Sequence, residues 1–172
     1  HGFPIVDTDL LAREVVAPGA PALAELAAAF GPHVIAADGT LDRQAVAAIV
    51  FDDAQARARL NAITHPPIRA LMGARVAEHR AAGARAVVLV VPLLFENGLD
   101  ALVDESWVVD VPEDVQKQRL MARNGLSERE ADARITAQMP RAEKLAKATR
   151  VIANQGHLAQ LVGKLTCNPL GA

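Results

Sequence analysis

Ile5-Val6-Asp7-Thr8-Asp9-Leu10-Leu11-Ala12-Arg13 sets a short apolar run directly before two acids and the start of a helical pattern. The run is too short for a helix and reads as a buried strand, so the acids stand at a strand-to-helix turn. Open α/β sheets keep their ligands at the carboxyl ends of their strands, which makes this turn the first candidate site. Three further runs share the strand character: Ala86 to Val91, Trp107 to Val111 and Val151-Ile152. Helical patterns separate all four. Continuous rather than alternating apolar strands joined by helices predict a parallel sheet covered on both faces.

The spacing of these runs is uneven. One ordinary connection separates the second and third, whereas Leu10 to Arg85 lies between the first and second, too long for a single crossover helix. Amphipathic segments at Pro21 to Phe30, Leu41 to Val50, Ala54 to Thr64 and Pro67 to Ala82 predict an inserted helical lobe. Further on, Pro112 opens a helix over Glu113 to Asn124 with Gly125 as its stop, and Ser127-Glu128-Arg129-Glu130 is a capping box.

Composition narrows the function. With 172 residues and 51% apolar content the chain has material for one buried domain. Aromatics amount to 3%, with Trp107 alone and no tyrosine, which leaves no stacking platform for bases. A net charge of -2 offers no field for a polyanion, so nucleic acid is not an expected partner. Cys167 is the single cysteine, excluding an intrachain disulfide and a thiolate zinc cluster. No apolar stretch approaches the roughly 18 residues that span a bilayer, and His1-Gly2-Phe3-Pro4 resembles no signal peptide. A soluble cytoplasmic protein without a membrane partner is expected.

Five groups of residues could carry chemistry, each with a structural alternative. Asp7 and Asp9 share one side of an extended segment, but a helix N-cap is needed there: the structural reading is an acid that only satisfies backbone donors, the functional one a carboxylate beside a phosphate-transfer site, orienting or deprotonating an attacking hydroxyl. Pro92-Leu93-Leu94-Phe95-Glu96 follows the most apolar strand; it lies at the ligand edge, or its apolar residues fill core and Glu96 is solvated. His65-Pro66-Pro67-Ile68-Arg69 reads as a connector in which prolines end one helix and start the next, with His65 and Arg69 facing a phosphate or serving structure. Lys117, Arg119, Arg123, Arg129, Arg134, Arg141, Lys144, Lys147 and Arg150 concentrate positive charge, suited either to a mobile lid over a polyphosphate or to solvated, paired helix faces. Asn154-Gln155-Gly156 after the last strand is a turn that can also meet a nucleotide base.

Taken in order, Ile5 to Arg13, Ala17-Pro18-Gly19, His65 to Arg69, Pro92 to Glu96, Gln138 to Lys144 and Val151 to Gly156 closely resemble the dephospho-CoA kinase family. The resemblance covers nearly the whole chain. It implies an α/β protein of the P-loop NTPase type, a three-layer parallel sheet related to the nucleoside monophosphate kinases. Its discontinuous core would take residues 1–10, 86–118 and 150–172, its helical substrate lobe 11–85 and its lid 119–149.

The implied reaction is ATP-dependent phosphorylation of the ribose 3′-hydroxyl of dephospho-CoA, with Mg²⁺ accompanying ATP. By motif match Asp9 is the catalytic acid and Arg141 the lid arginine on the ATP phosphates. Asp7, Arg13, His65, Arg69, Pro92, Leu93, Leu94 and Glu96 would line the dephospho-CoA site. Arg119, Arg123, Asn154 and Gly156 would contact the nucleotide, and no residue is assigned as a resident metal ligand.

Several positions depart from the family pattern. It commonly carries acids where Thr149 and Ala153 stand, and often an aspartate at Asn124, and the stretch Thr166 to Ala172 looks short of its last helix. No Gly-x-x-x-x-Gly-Lys-Ser/Thr occurs, although the family places that loop just upstream of Ile5. The expectation is a sequence beginning inside the domain and inactive without that loop. Two other readings compete: a non-catalytic CoA- or nucleotide-binding fragment, and an aspartate-based phosphatase using Asp7-Thr8-Asp9. The second lacks the expected small β-branched residue after Asp9, where Leu10 stands.

Overall fold

A computed structural model describes residues 2–154, which fall into two compact units, one running to Val91 and the other starting at Pro92. In the first, β1 (Ile5–Asp7) pairs in parallel with β2 (Val88–Val90), in the register Ile5↔Val88, Val6↔Leu89 and Asp7↔Val90. Between them run α1 (Thr8–Glu14), α2 (Pro21–Phe30), a 3-10 turn (Pro32–Val34), α3 (Arg43–Phe51) and α4 (Ala54–Ala81). Burial of apolar side chains drives the packing. Val6, Leu11 and Met72 are buried together, with Ile68, Leu71, Val76, Val87 and Leu89 packed against them. A second cluster gathers Val16, Ala22 and Leu26, with Leu60 and Ile63 of α4 at its side.

The long insertion is helical, as its amphipathic segments predict, but two local expectations fail. His65 to Arg69 does not join two helices: α4 runs unbroken for 28 residues through Pro66 and Pro67. Each internal proline lacks an N–H and crowds the carbonyl four residues back, a cost of about 3 kcal/mol. Fully burying a large apolar side chain recovers about 1.5–3 kcal/mol, and α4 buries Met72 fully and Leu60, Ile63, Ile68, Leu71 and Val76 in part within the two clusters. Tertiary packing therefore outweighs the local break. Likewise α3 starts at Arg43 rather than Leu41, because the Asp42 carboxylate caps it by accepting the N–H groups of Gln44 and Ala45 at 3.0 and 2.9 Å.

In the second unit, β3 (Trp107–Asp110) and β4 (Arg150–Ala153) pair in parallel, Trp107 opposite Arg150 and Asp110 opposite Ala153. A turn over residues 92–98 and a 3-10 turn (Leu99–Leu102) precede β3. α5 (Glu113–Asn124), α6 (Glu128–Thr136) and α7 (Arg141–Lys147) lie between the strands. α5 has its expected bounds and stops at Gly125, whose φ of 64° is a left-handed conformation that favours glycine. The capping box also forms: Glu130 Oε2 accepts the Ser127 N–H at 2.8 Å, and Ser127 Oγ accepts the Glu130 N–H at 3.4 Å.

The parallel pairing is as expected, but among the described residues it forms two two-stranded ladders. Neither ladder is covered on both faces. Ile5 is 64% exposed and Val109 55%, and Val88, Val90 and Val151 are exposed too, while Val6 is buried. Side chains alternate across a strand, so one packed face leaves the other open even where every residue is apolar.

Candidate functional site

Two constellations emerge, one in each unit. In the first, β1 ends at Asp7 and α1 begins at once. Asp7 Oδ1 accepts the Asp9 N–H at 2.8 Å, so Asp7 is the helix N-cap. The Thr8 hydroxyl donates to the Val90 carbonyl at 3.1 Å, tying the turn to the end of β2. Asp9 is left on the exposed side of the first turn, and among the described residues no hydrogen bond or ion pair engages its carboxylate. A carboxylate there gains from the positive end of the helix.

Arg13 lies four residues after Asp9, in the last turn of α1, and is exposed. The i,i+4 spacing puts both on one helix face. His65 and Arg69 stand in the same relation on α4, His65 half-buried and Arg69 exposed. The two helices are locked by Leu11 packing on Met72 and by the Arg75–Glu14 ion pair at 3.1 Å.

The second constellation gathers at the carboxyl ends of β3 and β4. Asp110, the last residue of β3, is 9% exposed. Its two carboxylate oxygens accept Arg141 Nε and Nη2, both at 2.7 Å. That doubly hydrogen-bonded guanidinium holds the Asp110 carboxyl below the usual carboxylate range, against the opposing effect of burial, and raises the Arg141 pKa. The Asp110 carbonyl accepts the Asn154 N–H at 2.7 Å, and the Asn154 carbonyl accepts Arg119 Nη1 at 3.0 Å. Four residues from four elements or their edges are thus joined in sequence: Arg141, Asp110, Asn154 and Arg119.

A second acid holds the approach to α7. Glu96 Oε1 lies 2.9 Å from Lys144 Nζ and accepts the Met139 N–H at 3.1 Å. Burial pushes the Glu96 carboxyl up, but the hydrogen bonds from Lys144 and the backbone prevail and leave it below its ordinary value. Of its neighbours in the turn, Phe95 is buried, Leu94 half-buried, and Pro92 and Leu93 exposed. Glu96 is therefore exposed but engaged, its carboxylate tied to Lys144 and to the backbone before α7.

Much of the basic concentration is internally engaged. Lys117 bridges Glu128 and Asp132 at 2.7 and 2.9 Å, Arg123 donates to Asn124 at 3.0 Å, and Arg150 pairs with Glu105 while its guanidinium lies 5.4 Å from the Trp107 ring centre. Gly156 lies outside the described residues.

The sequence reading passes over Asp110, and it places Lys144 only among the basic residues of a lid, with no partner of its own. A signal for Asp110 exists: like Asp7, it is an acid at the end of a short apolar strand just before a helix. No local pattern indicates the partner of Lys144.

Comparisons with known proteins agree along nearly the whole chain. The family model for dephospho-CoA kinase matches residues 1–160. A dephospho-CoA kinase from Moorella thermoacetica is 52% identical over 158 residues, spanning 91% of this chain and 74% of its own. One from Anaeromyxobacter dehalogenans is 51% identical over 164 residues, spanning 95% and 78%. Among solved structures, TT1252 from Thermus thermophilus matches with a TM-score of 0.77 at 35% identity, covering 99% of this chain and 86% of its own. The dephospho-CoA kinase from Campylobacter jejuni matches with a TM-score of 0.71 at 27% identity, covering 96% and 83%.

Proposed function

Because the chain belongs to the dephospho-CoA kinase family, a family of transferases in CoA biosynthesis, we propose that it moves the γ-phosphoryl group of ATP onto the ribose 3′-hydroxyl of dephospho-CoA. The observation that carries the reading is the difference between the two opening acids: Asp7 caps α1 through Oδ1, while Asp9 is exposed and its carboxylate has no partner among the described residues. In the reaction the 3′-oxygen attacks the γ-phosphorus, the bond to the β–γ bridging oxygen breaks, and ADP leaves with that electron pair. Asp9 accepts the hydroxyl proton, which raises the nucleophilicity of the oxygen as the bond forms. Arg141 supplies directed N–H donors to phosphate oxygens whose charge shifts during transfer.

In the same reading, residues 11–85 form the acceptor lobe, with Asp7, Arg13, His65, Arg69, Pro92, Leu93, Leu94 and Glu96 around dephospho-CoA. Residues 119–149 form the lid, and Arg119, Arg123, Asn154 and Gly156 attend the nucleotide. The fold is that of a P-loop kinase. Among the described residues no three His, Cys, Asp or Glu side chains gather as a metal cage. Mg²⁺ belongs here to the triphosphate, whose oxygens bind it. No helix of the described residues is long and apolar enough to cross a membrane.

The test is ATP-dependent formation of CoA by the protein expressed from its complete reading frame, followed by chromatography of the acceptor. Folded protein that gives no CoA removes the proposal.

A further inference from the structure

We infer that Asp110 is a positioning residue for the nucleotide: it holds the Arg141 guanidinium in the orientation in which that group meets the triphosphate. The inference rests on the reading in which Arg141 serves ATP, and deepens it by naming what aims the arginine.

Three observations carry it. First, the pairing is bidentate: Nε and Nη2 of Arg141 donate to the two oxygens of Asp110 at 2.7 Å each, which fixes the plane of the guanidinium as well as its position. Second, the support is rigid. Asp110 ends β3, is 9% exposed, and has its carbonyl bound by the Asn154 N–H at the end of the neighbouring strand. Third, the pair is not closed off. The Arg141 side chain is 39% exposed, against 10% for Asp110. A guanidinium has five N–H donors, and Asp110 takes two, leaving both on Nη1 and one on Nη2 for an anion.

A carboxylate so close also neutralises the arginine's charge, so what the pair offers a phosphate is direction. An arginine already ordered loses less freedom when the nucleotide arrives, and that saving appears as affinity. The anchor of the preceding turn acts in the same sense. Glu96 takes the Met139 N–H and pairs with Lys144, so the start of α7 is tied to two acids from different segments.

The experiment is a double-mutant cycle on ATP affinity by calorimetry, with Asp110→Asn, Arg141→Met and the double variant, each checked for a cooperative thermal transition well above the assay temperature. Asp110→Glu serves as the conservative variant, keeping the charge one methylene further out. Expected is a loss of about tenfold in ATP affinity for Asp110→Asn, a smaller loss for Asp110→Glu, and less than about twofold added by Asp110→Asn in the Arg141→Met background. Equal losses in both backgrounds would overturn the inference, as would tighter ATP binding by Asp110→Asn or no ATP binding by the unaltered protein. Should the cycle show the coupling while no CoA is formed, the inference stands and the proposed reaction falls.

Discussion

Glu96 Oε1 sits 2.9 Å from Lys144 Nζ, so the turn that follows β2 holds the helix that carries Arg141. Folding lowers the Glu96 pKa, and that of Asp110, below their ordinary values. For an acid whose folded pKa is depressed, the stabilisation is fully present above the unfolded pKa, about 4, and is lost as pH falls through the folded value. Thermal midpoints should therefore decline on the acid side of pH 4. Glu96→Gln should show a lower midpoint at pH 7 and a shallower acid decline, read by circular dichroism from pH 3 to 7. An acid limb identical to that of the unaltered protein would show that the Lys144 pair adds nothing.

Asp7 and Asp9 should give opposite signatures. Asp9→Asn leaves the α1 cap in place and should lower kcat by about 10²–10⁴-fold with little change in dephospho-CoA affinity. Asp7→Ala removes the acceptor of the Asp9 N–H and should cost about 1 kcal/mol of stability. Steady-state kinetics with calorimetry separates them. Parallel loss of affinity and turnover in Asp9→Asn would make Asp9 a binding group.

Pro66 is exposed inside α4, so Pro66→Ala removes a helix-breaking ring without removing core. The variant restores an N–H donor for the Ala62 carbonyl and should gain about 1–3 kcal/mol, less what the more flexible unfolded chain takes back. Urea denaturation reads the difference directly. A lower midpoint would mean that the proline's shape is itself required by the packing of α4.

Thr149 stands where the resemblance leads one to expect an acid, and the structure gives it a purpose. Its hydroxyl accepts the Ser106 N–H at 3.1 Å, and Ser106 Oγ accepts the Thr149 N–H at 3.1 Å, joining the entries of β3 and β4. Ser106 is 7% exposed, so losing its acceptor is costly. Thr149→Val should destabilise by about 1–2 kcal/mol, whereas Thr149→Asp, which keeps an acceptor, should cost less. Chemical denaturation of the two variants checks the order.

The elements themselves were legible because their signals are local. A β-branched run, a glycine able to take positive φ after Asn124, and a serine three residues before a glutamate act over distances a short window contains. Half of the opening motif was legible for the same reason: an acid before a helix start is a cap, though which of the two acids caps became plain only from the Asp7–Asp9 hydrogen bond. The connector at His65 was misread because the local cost of proline is visible in sequence and the burial that outweighs it is not.

By itself, then, the sequence determined the strands and several of the helices, the parallel class of the pairing, and the family through motifs in register. Only the tertiary structure decided that Asp110 holds Arg141, 31 residues away, and that Glu96 holds Lys144. A charged side chain's partner depends on which segments the strand pairing and helix packing bring to one edge. The desolvation of a buried carboxylate then demands a donor there, and no residue near it in the chain reveals which one answers.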